Sequence, residues 1–145
     1  MKAWQITAFG GPEGLALREV AQPVPGPGEV LVRITHCGVN PIDRSLVSGR
    51  FPWLALPHTP GSEIVGRVEA LGPAVGTAAP PVGTAVALAF RLFCGRCYYC
   101  LRGREEACIA DPRGANAPVG LGTTTPGGYT EYVARTGQEA PGLRN

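Results

Sequence analysis

Long apolar runs are missing from this 145-residue chain: no stretch approaches the length needed to span a bilayer, so an integral membrane role is excluded. A basic surplus is missing too. The formal net charge is +2, which leaves no electrostatic footprint for nucleic acid. Lysine is almost absent, with Lys2 alone while arginine is plentiful, a bias expected of a hot host or a GC-rich genome. The N-terminal Met1-Lys2-Ala3-Trp4-Gln5 lacks an apolar h-region and a cleavage site, so a cytoplasmic chain with reduced thiols is expected. There are no internal repeats. Aromatic residues make up only 7%, whereas Gly and Pro number 21 and 15, and apolar residues at 44% fall in short runs between turn residues. That pattern fits one loop-rich β domain better than a disordered tail.

The most specific stretch is Cys94-Gly95-Arg96-Cys97-Tyr98-Tyr99-Cys100, closed by Cys108. Its C-x2-C-x2-C-x7-C spacing lets four thiolates converge from one loop on a tetrahedral ion, the ligand set of a closed structural zinc site. Iron–sulfur clusters also use C-x2-C-x2-C, although those runs usually continue C-x3-C-P. Two disulfides are the remaining alternative and need an oxidising compartment. Tyr98 and Tyr99 are expected to cover the lobe. Arg102, Arg104, Glu105 and Glu106 read as a solvated face with a local ion pair of small worth.

Along the chain, Lys2 to Ala8 reads as a strand ending at Gly10-Gly11-Pro12, and Leu15 to Val20 should pair with it as a hairpin. Gln22 to Gly28, rich in proline, is a surface connection. Glu29 to Val39 is a long strand, and Ile42 to Ser48 a short helix with Asp43 in its first turn, where a carboxylate meets the helix dipole. Glu63 to Leu71 is another strand, with Gly66 marking a bulge or a close backbone approach. Gly72 to Pro81 reads as a mobile loop, Val82 to Phe90 as a strand turning at Gly83-Thr84, Ala110 to Pro126 as irregular and polar, and Gly128 to Ala134 as a last strand. The tail from Arg135 to Asn145 carries no core pattern. Cys37 reads as a small buried core residue, and His36 and His58 as ordinary strand and turn histidines rather than ligands grouped with Cys37 and Asp43.

In this order the elements resemble the N-terminal catalytic, GroES-like domain of the zinc-containing medium-chain dehydrogenase/reductase family, the alcohol dehydrogenase and quinone oxidoreductase group. The resemblance rests on Gly28-Glu29-Val30-Leu31-Val32, Cys37-Gly38-Val39-Asn40-Pro41-Ile42-Asp43, Pro60-Gly61-Ser62-Glu63-Ile64-Val65-Gly66-Arg67-Val68, Val82-Gly83-Thr84-Ala85-Val86, the cysteine loop and Gly127-Gly128-Tyr129-Thr130-Glu131-Tyr132-Val133. It implies a mainly β fold: a partly open barrel with few short helices over residues 1–134, a zinc lobe at 90–110, and a tail at 135–145. Zinc alcohol dehydrogenases of the family show C-G-V-C-H-T-D and G-H-E, whose second Cys and His bind catalytic zinc. Here those two places hold Asn40 and Ser62, and Ile42 replaces the proton-relaying hydroxyl, which leaves too few ligands for a catalytic ion.

Asn-Pro-x-Asp and P-G-S-E are instead what quinone oxidoreductases of the family show. By that resemblance Asn40 is the pocket amide near cofactor and substrate, Asp43 braces the loop, Glu63 stands behind it, and Ser62 completes the pocket set. Structural zinc on Cys94, Cys97, Cys100 and Cys108 is the implied metal. NAD(P) is the implied cofactor once a nucleotide-binding domain is supplied. Gly120-Leu121-Gly122-Thr123 runs into Thr124-Thr125-Pro126 rather than a helix, so it is not the phosphate-binding turn of such a domain. The expected partners are a small carbonyl, alcohol or quinone substrate and a separate nucleotide-binding domain or a second copy of the chain, since apolar surface left uncovered drives self-association. The alternative is a free-standing zinc-binding barrel that binds or scaffolds without catalysis.

Overall fold

The first two strands are short, β-branched or aromatic runs on either side of a Gly-Pro turn, and they close as the hairpin that this pattern predicts. In the computed structural model, which describes residues 1–77, 79–91, 93, 97–104, 107–108 and 120–136, β1 (Lys2–Ile6) and β2 (Leu15–Glu19) pair antiparallel from Lys2↔Glu19 to Ile6↔Leu15. A 3-10 turn at Pro12–Gly14 lies between them. A four-stranded antiparallel sheet of β3 (Glu29–Gly38), β4 (Glu63–Leu71), β5 (Ala85–Ala87) and β6 (Tyr132–Thr136) follows, in the order β5-β4-β3-β6. The single helix of more than one turn among the described residues is α1 (Pro41–Val47). Isolated bridges Ala3↔Thr130 and Ile6↔His58 fasten the hairpin to the rest.

Strand β4 alternates strictly, with Ile64, Gly66 and Val68 inward, as period-2 side-chain geometry requires of a half-buried strand. Val30, Val32, Ile64, Val68, Val86, Leu88, Leu121 and Val133 form the larger core. Ile6, Leu46, Val47 and Leu54 form a second one between the hairpin and α1.

Gly66 is a close approach, as expected. A Cβ there would lie 2.4 Å from the Arg33 carbonyl oxygen and 2.7 Å from Val32 Cγ1, beside a register shift between Ile34 and His36 on β3. Gly66→Ala is therefore expected to cost about 1–3 kcal/mol by overpacking against backbone that cannot yield. Urea unfolding against the parent chain measures it, and a cost below a few tenths would contradict this packing.

Most element ends shift by one or two residues from the sequence reading, and the larger differences have local causes. The last strand starts at Tyr132 rather than Gly128, because Gly127, Gly128 and Tyr129 donate their N–H groups to Thr59, Gly61 and Pro60 instead of to a neighbouring strand. It continues through Arg135 and Thr136, which the sequence reading assigned to the tail. β5 shrinks to three residues, since Gly83 takes φ +87° and its N–H turns back to Val68. The segment around 120–123 is not polar surface: Leu121 is fully buried and Gly122 and Thr123 are buried beside it. The rest of that stretch, 109–119, and the tail from 137 lie outside the described residues. The loop after β4 is anchored rather than loose, with Val75 and Ala79 packed on the larger core.

Candidate active-site pocket and metal centre

Asn40 ends the extended run of β3 and opens α1 with φ −123° and ψ 159°, and Pro41 follows at the first helical position, where its missing N–H costs nothing. Asp43, three residues on, reaches back. Its Oδ2 accepts the Asn40 backbone N–H at 2.8 Å and its Oδ1 accepts the Gly61 N–H at 3.0 Å. One carboxylate, 3% exposed, thus ties the start of the helix to the Pro60-Gly61 turn. Two charge-assisted bonds to backbone donors are what make a buried carboxylate tolerable.

The Asn40 side chain is different. Its Nδ2 is buried and has no hydrogen-bond partner. A buried amide without a partner costs free energy, so such a group in a folded domain points to a ligand or a water it is built to meet.

Cys37 packs against Gly61 and Gly128, whose Cβ positions would fall 2.8 and 2.7 Å from its sulfur. Burial, followed by the negative charge of Asp43, pushes its thiol up to about 11. Half-buried against the larger core, it packs as the small core residue the sequence suggests, though less enclosed, and its surroundings on balance raise the thiol pKa rather than lowering it as a nucleophile would need. Tyr129, 2.6 Å from the same Gly61 Cβ position, has its phenol held well above the usual range by burial, then by the negative charge of Asp43. Its hydroxyl, beside the Asp43 carboxylate, makes no hydrogen bond of good geometry. Tyr129 stays a neutral donor.

Sequence reasoning placed Tyr129 within a strand and a family-like motif, with no role in the site. No local signal marks it, since its relation to Asp43 exists only through the Gly61 turn. Ser62 is 5% exposed and follows that turn, and Glu63 is an exposed carboxylate leaning over Gly38. The structure therefore brings Asn40, Asp43, Ser62 and Glu63 to one end of the sheet. A cleft of about 360 Å³, walled by Arg33, His36, Cys37, Gly128, Glu131 and Tyr132, opens next to Cys37.

The two histidines do not join this group. His36 is exposed on β3, and His58 turns its buried Nε2 onto the Gly122 carbonyl at 2.8 Å while its backbone bonds Ile6 in both directions. Burial lowers the His58 pKa from its ordinary value of 6.5, opposed by the Gly122 carbonyl. The folded state therefore prefers neutral His58, and the unfolded chain binds the extra proton first. Stability should fall as pH drops through 6.5 toward the depressed folded value. His58→Gln is expected to flatten that part of the stability–pH curve, and urea midpoints between neutral and acid pH read it. An identical slope in both proteins would exclude His58 as the titrating group.

Beyond β5 the chain enters the cysteine loop. Among the described residues, one group of three potential metal ligands occurs: Cys97, Cys100 and Cys108, with sulfurs all within 4.8 Å of one another. Cys97 Sγ lies 3.5 Å from Cys100 Sγ and 4.0 Å from Cys108 Sγ. A tetrahedral ion with ~2.3 Å zinc–sulfur bonds separates its ligands by about 3.8 Å, so these thiols fit the spacing of ligands around one ion rather than of a bonded pair. Cys94 lies outside the described residues. A turn at Tyr98-Tyr99 and a 3-10 turn at Cys100–Arg102, capped by Gly103 at φ +66°, set the loop's shape. Tyr99 is half-buried and packs edge-on to Tyr98, whereas Tyr98 is 61% exposed and carries Arg102 over its ring at 3.7 Å. Arg102 and Arg104 are exposed, as expected of a solvated face, while Glu105 and Glu106 lie outside the described residues.

Residues 26–141 match the family model for the alcohol dehydrogenase GroES-like domain. The chain belongs to this family. An alcohol dehydrogenase of Geobacillus stearothermophilus is 40% identical over 134 residues, covering 91% of this chain and 36% of that protein. The Homo sapiens quinone oxidoreductase is 43% identical over 74 residues, 50% of this chain and 22% of its own length. Among solved structures, a thermostable alcohol dehydrogenase from Pyrobaculum aerophilum superposes with a TM-score of 0.86 at 38% identity, covering all of this chain and 41% of that one. The same enzyme is also known with cobalt and zinc bound. The GroES-like chain thus spans between about a fifth and two fifths of the length of these relatives. No described helix is long and apolar enough to cross a membrane.

Proposed function

We propose that this chain is the substrate-side domain of an NAD(P)-dependent oxidoreductase acting on an enone, quinone or related carbonyl compound. In this reading Cys94, Cys97, Cys100 and Cys108 hold one structural zinc, and the Asn40 pocket works without a catalytic metal. The domain takes in residues 1–134 and continues at least to Thr136, where β6 ends. The nucleotide-binding domain comes from another part of the protein or from another chain.

The observation that carries the proposal is the buried, partnerless Asn40 Nδ2 at the start of a helix braced by Asp43. It supports an amide donor held ready for an oxygen. When bound, the nicotinamide supplies the hydride. A hydride gained by a quinone or enone leaves negative charge on the substrate oxygen, and one proton completes the reduction. Asn40 offers that oxygen a hydrogen bond that is stronger in the charged state, the condition for lowering a barrier. Asp43 keeps Asn40 in place, and the neutral Cys37 thiol adds no competing charge. Asn40 and Ser62 are poor zinc ligands, which supports the metal-free reading.

The test is titration of the zinc-loaded chain with NADPH and a panel of quinones and enones, followed by amide chemical shifts and by NADPH oxidation. Shifts centred on Asn40, Gly61 and Ser62 that vanish in Asn40→Ala are expected. No shift at Asn40, Gly61 or Ser62 with any quinone or enone, with or without NADPH, would overturn the reading. Elemental analysis after dialysis should give about one zinc per chain, and two would expose a second site at the pocket.

A further inference from the structure

Strand β4 begins where β3 ends. Glu63 stands opposite Gly38 in the register, and Asn40 comes two residues after Gly38. Because Gly38 has no side chain, two polar groups border the space that a Cβ would fill there: Glu63 Oε2 at 2.6 Å from that position and Asn40 Nδ2 at 3.6 Å. The two atoms are therefore no further apart than the sum of those distances. One shared oxygen can bridge such a span by two hydrogen bonds once the flexible Glu63 side chain adjusts. The amide nitrogen is buried and has no partner, whereas Glu63 is exposed.

The reduction read from the Asn40 pocket needs a proton as well as a hydride, and the groups around the amide are not equally able to give one. Asp43 already commits both oxygens to backbone N–H groups. Burial holds the Cys37 thiol at about 11 and keeps the Tyr129 phenol above its usual range, so neither releases a proton readily near neutral pH. Ser62 offers only a hydroxyl. His36 stands opposite Val65, and four residues of extended chain, about 13 Å, separate it from Asn40. Glu63 remains, beside the amide itself.

On that reading of Asn40, we infer that Glu63 is the proton carrier of the pocket. A hydride gained by the enone or quinone leaves an electron pair on the substrate oxygen that Asn40 holds. The O–H bond of protonated Glu63 breaks as the substrate O–H bond forms, and the carboxylate left behind takes a proton from water. The substrate gains two electrons and the nicotinamide loses them, so no other reductant enters.

Para-nitrophenol tests this without a cofactor, since it mimics the oxygen of the reduced substrate, ionises near neutral pH and changes colour when it does. Bound beside Glu63, it should stay in the phenol form, with its O–H donated to the carboxylate. In Glu63→Gln the bound ratio of phenolate to phenol should rise about tenfold, because the neighbouring negative charge is gone. Glu69→Gln removes a charge near the far end of β4 and should leave the ratio unchanged. Asn40 side-chain amide signals, followed in the same titration, report whether the probe sits at that amide. A ratio unmoved in Glu63→Gln while the Asn40 signals still shift overturns the inference and leaves the Asn40 reading standing. An equal change in Glu69→Gln overturns it in the same way. Asn40 signals that the probe never moves, up to millimolar concentration, overturn the pocket reading and the inference with it.

Discussion

Stripping the metal from the purified chain, or replacing Cys100 by serine, will expose the amides of residues 97–104 to rapid hydrogen exchange while β3 and β4 keep their protection. Cys100 is the most buried of the three clustered thiols, at 8% exposure, and its sulfur sits 3.5 Å from Cys97. Among the described residues the loop's contacts include single-turn backbone bonds such as Leu101 to Cys97 and Gly103 to Cys100, and ring contacts at its surface. Structural zinc in small sites is worth on the order of 10 kcal/mol of apparent free energy, far more than those contacts supply. The large core of Val30, Val32, Ile64 and Val68 does not depend on the metal, so the loss should be confined to the lobe. An exchange pattern that is the same before and after chelation, with zinc loss verified by elemental analysis, would show that the thiolates do not organise the loop.

Asp43→Ala is expected to destabilise the chain by about 3–5 kcal/mol, because two buried backbone donors lose a charged acceptor at once. The Asn40 and Gly61 N–H groups both end on this carboxylate. Asp43→Asn keeps the shape and one acceptor oxygen, and is expected to recover about half of the loss. Equilibrium urea unfolding of the three proteins measures this. A loss under 1 kcal/mol for the alanine variant would mean that the carboxylate braces nothing. The Asn40 amide shift in the asparagine variant separates a brace from a mere core group: it should move even where stability is largely restored.

The elements that local chemistry dictates were readable in the chain. Glu63 to Leu71 alternates cleanly and became β4 over those same residues, Asn40-Pro41 and Asp43 announced the start of α1, and Gly66 was marked as a close approach before any neighbour was known. The cysteine spacing placed three described thiols around one point. Each of these signals acts over a few residues, through side-chain period, a fixed proline φ or the reach of one side chain.

What the tertiary structure decided is what joins distant segments. The strand expected at Gly128 is instead tied to Thr59, Pro60 and Gly61, because the glycines there let two backbones meet where any side chain would collide. The run around Leu121 is core rather than surface, since it closes over the larger sheet and receives His58. Tyr129 comes to Asp43 only through that same crossing. The sequence by itself determined where most strands lie, the helix cap, the clustering of the cysteines and the family. The tie from Asp43 to the Gly61 turn and the packing of Cys37 against Gly61 and Gly128 arise from contacts between residues far apart in the chain, which no local pattern encodes.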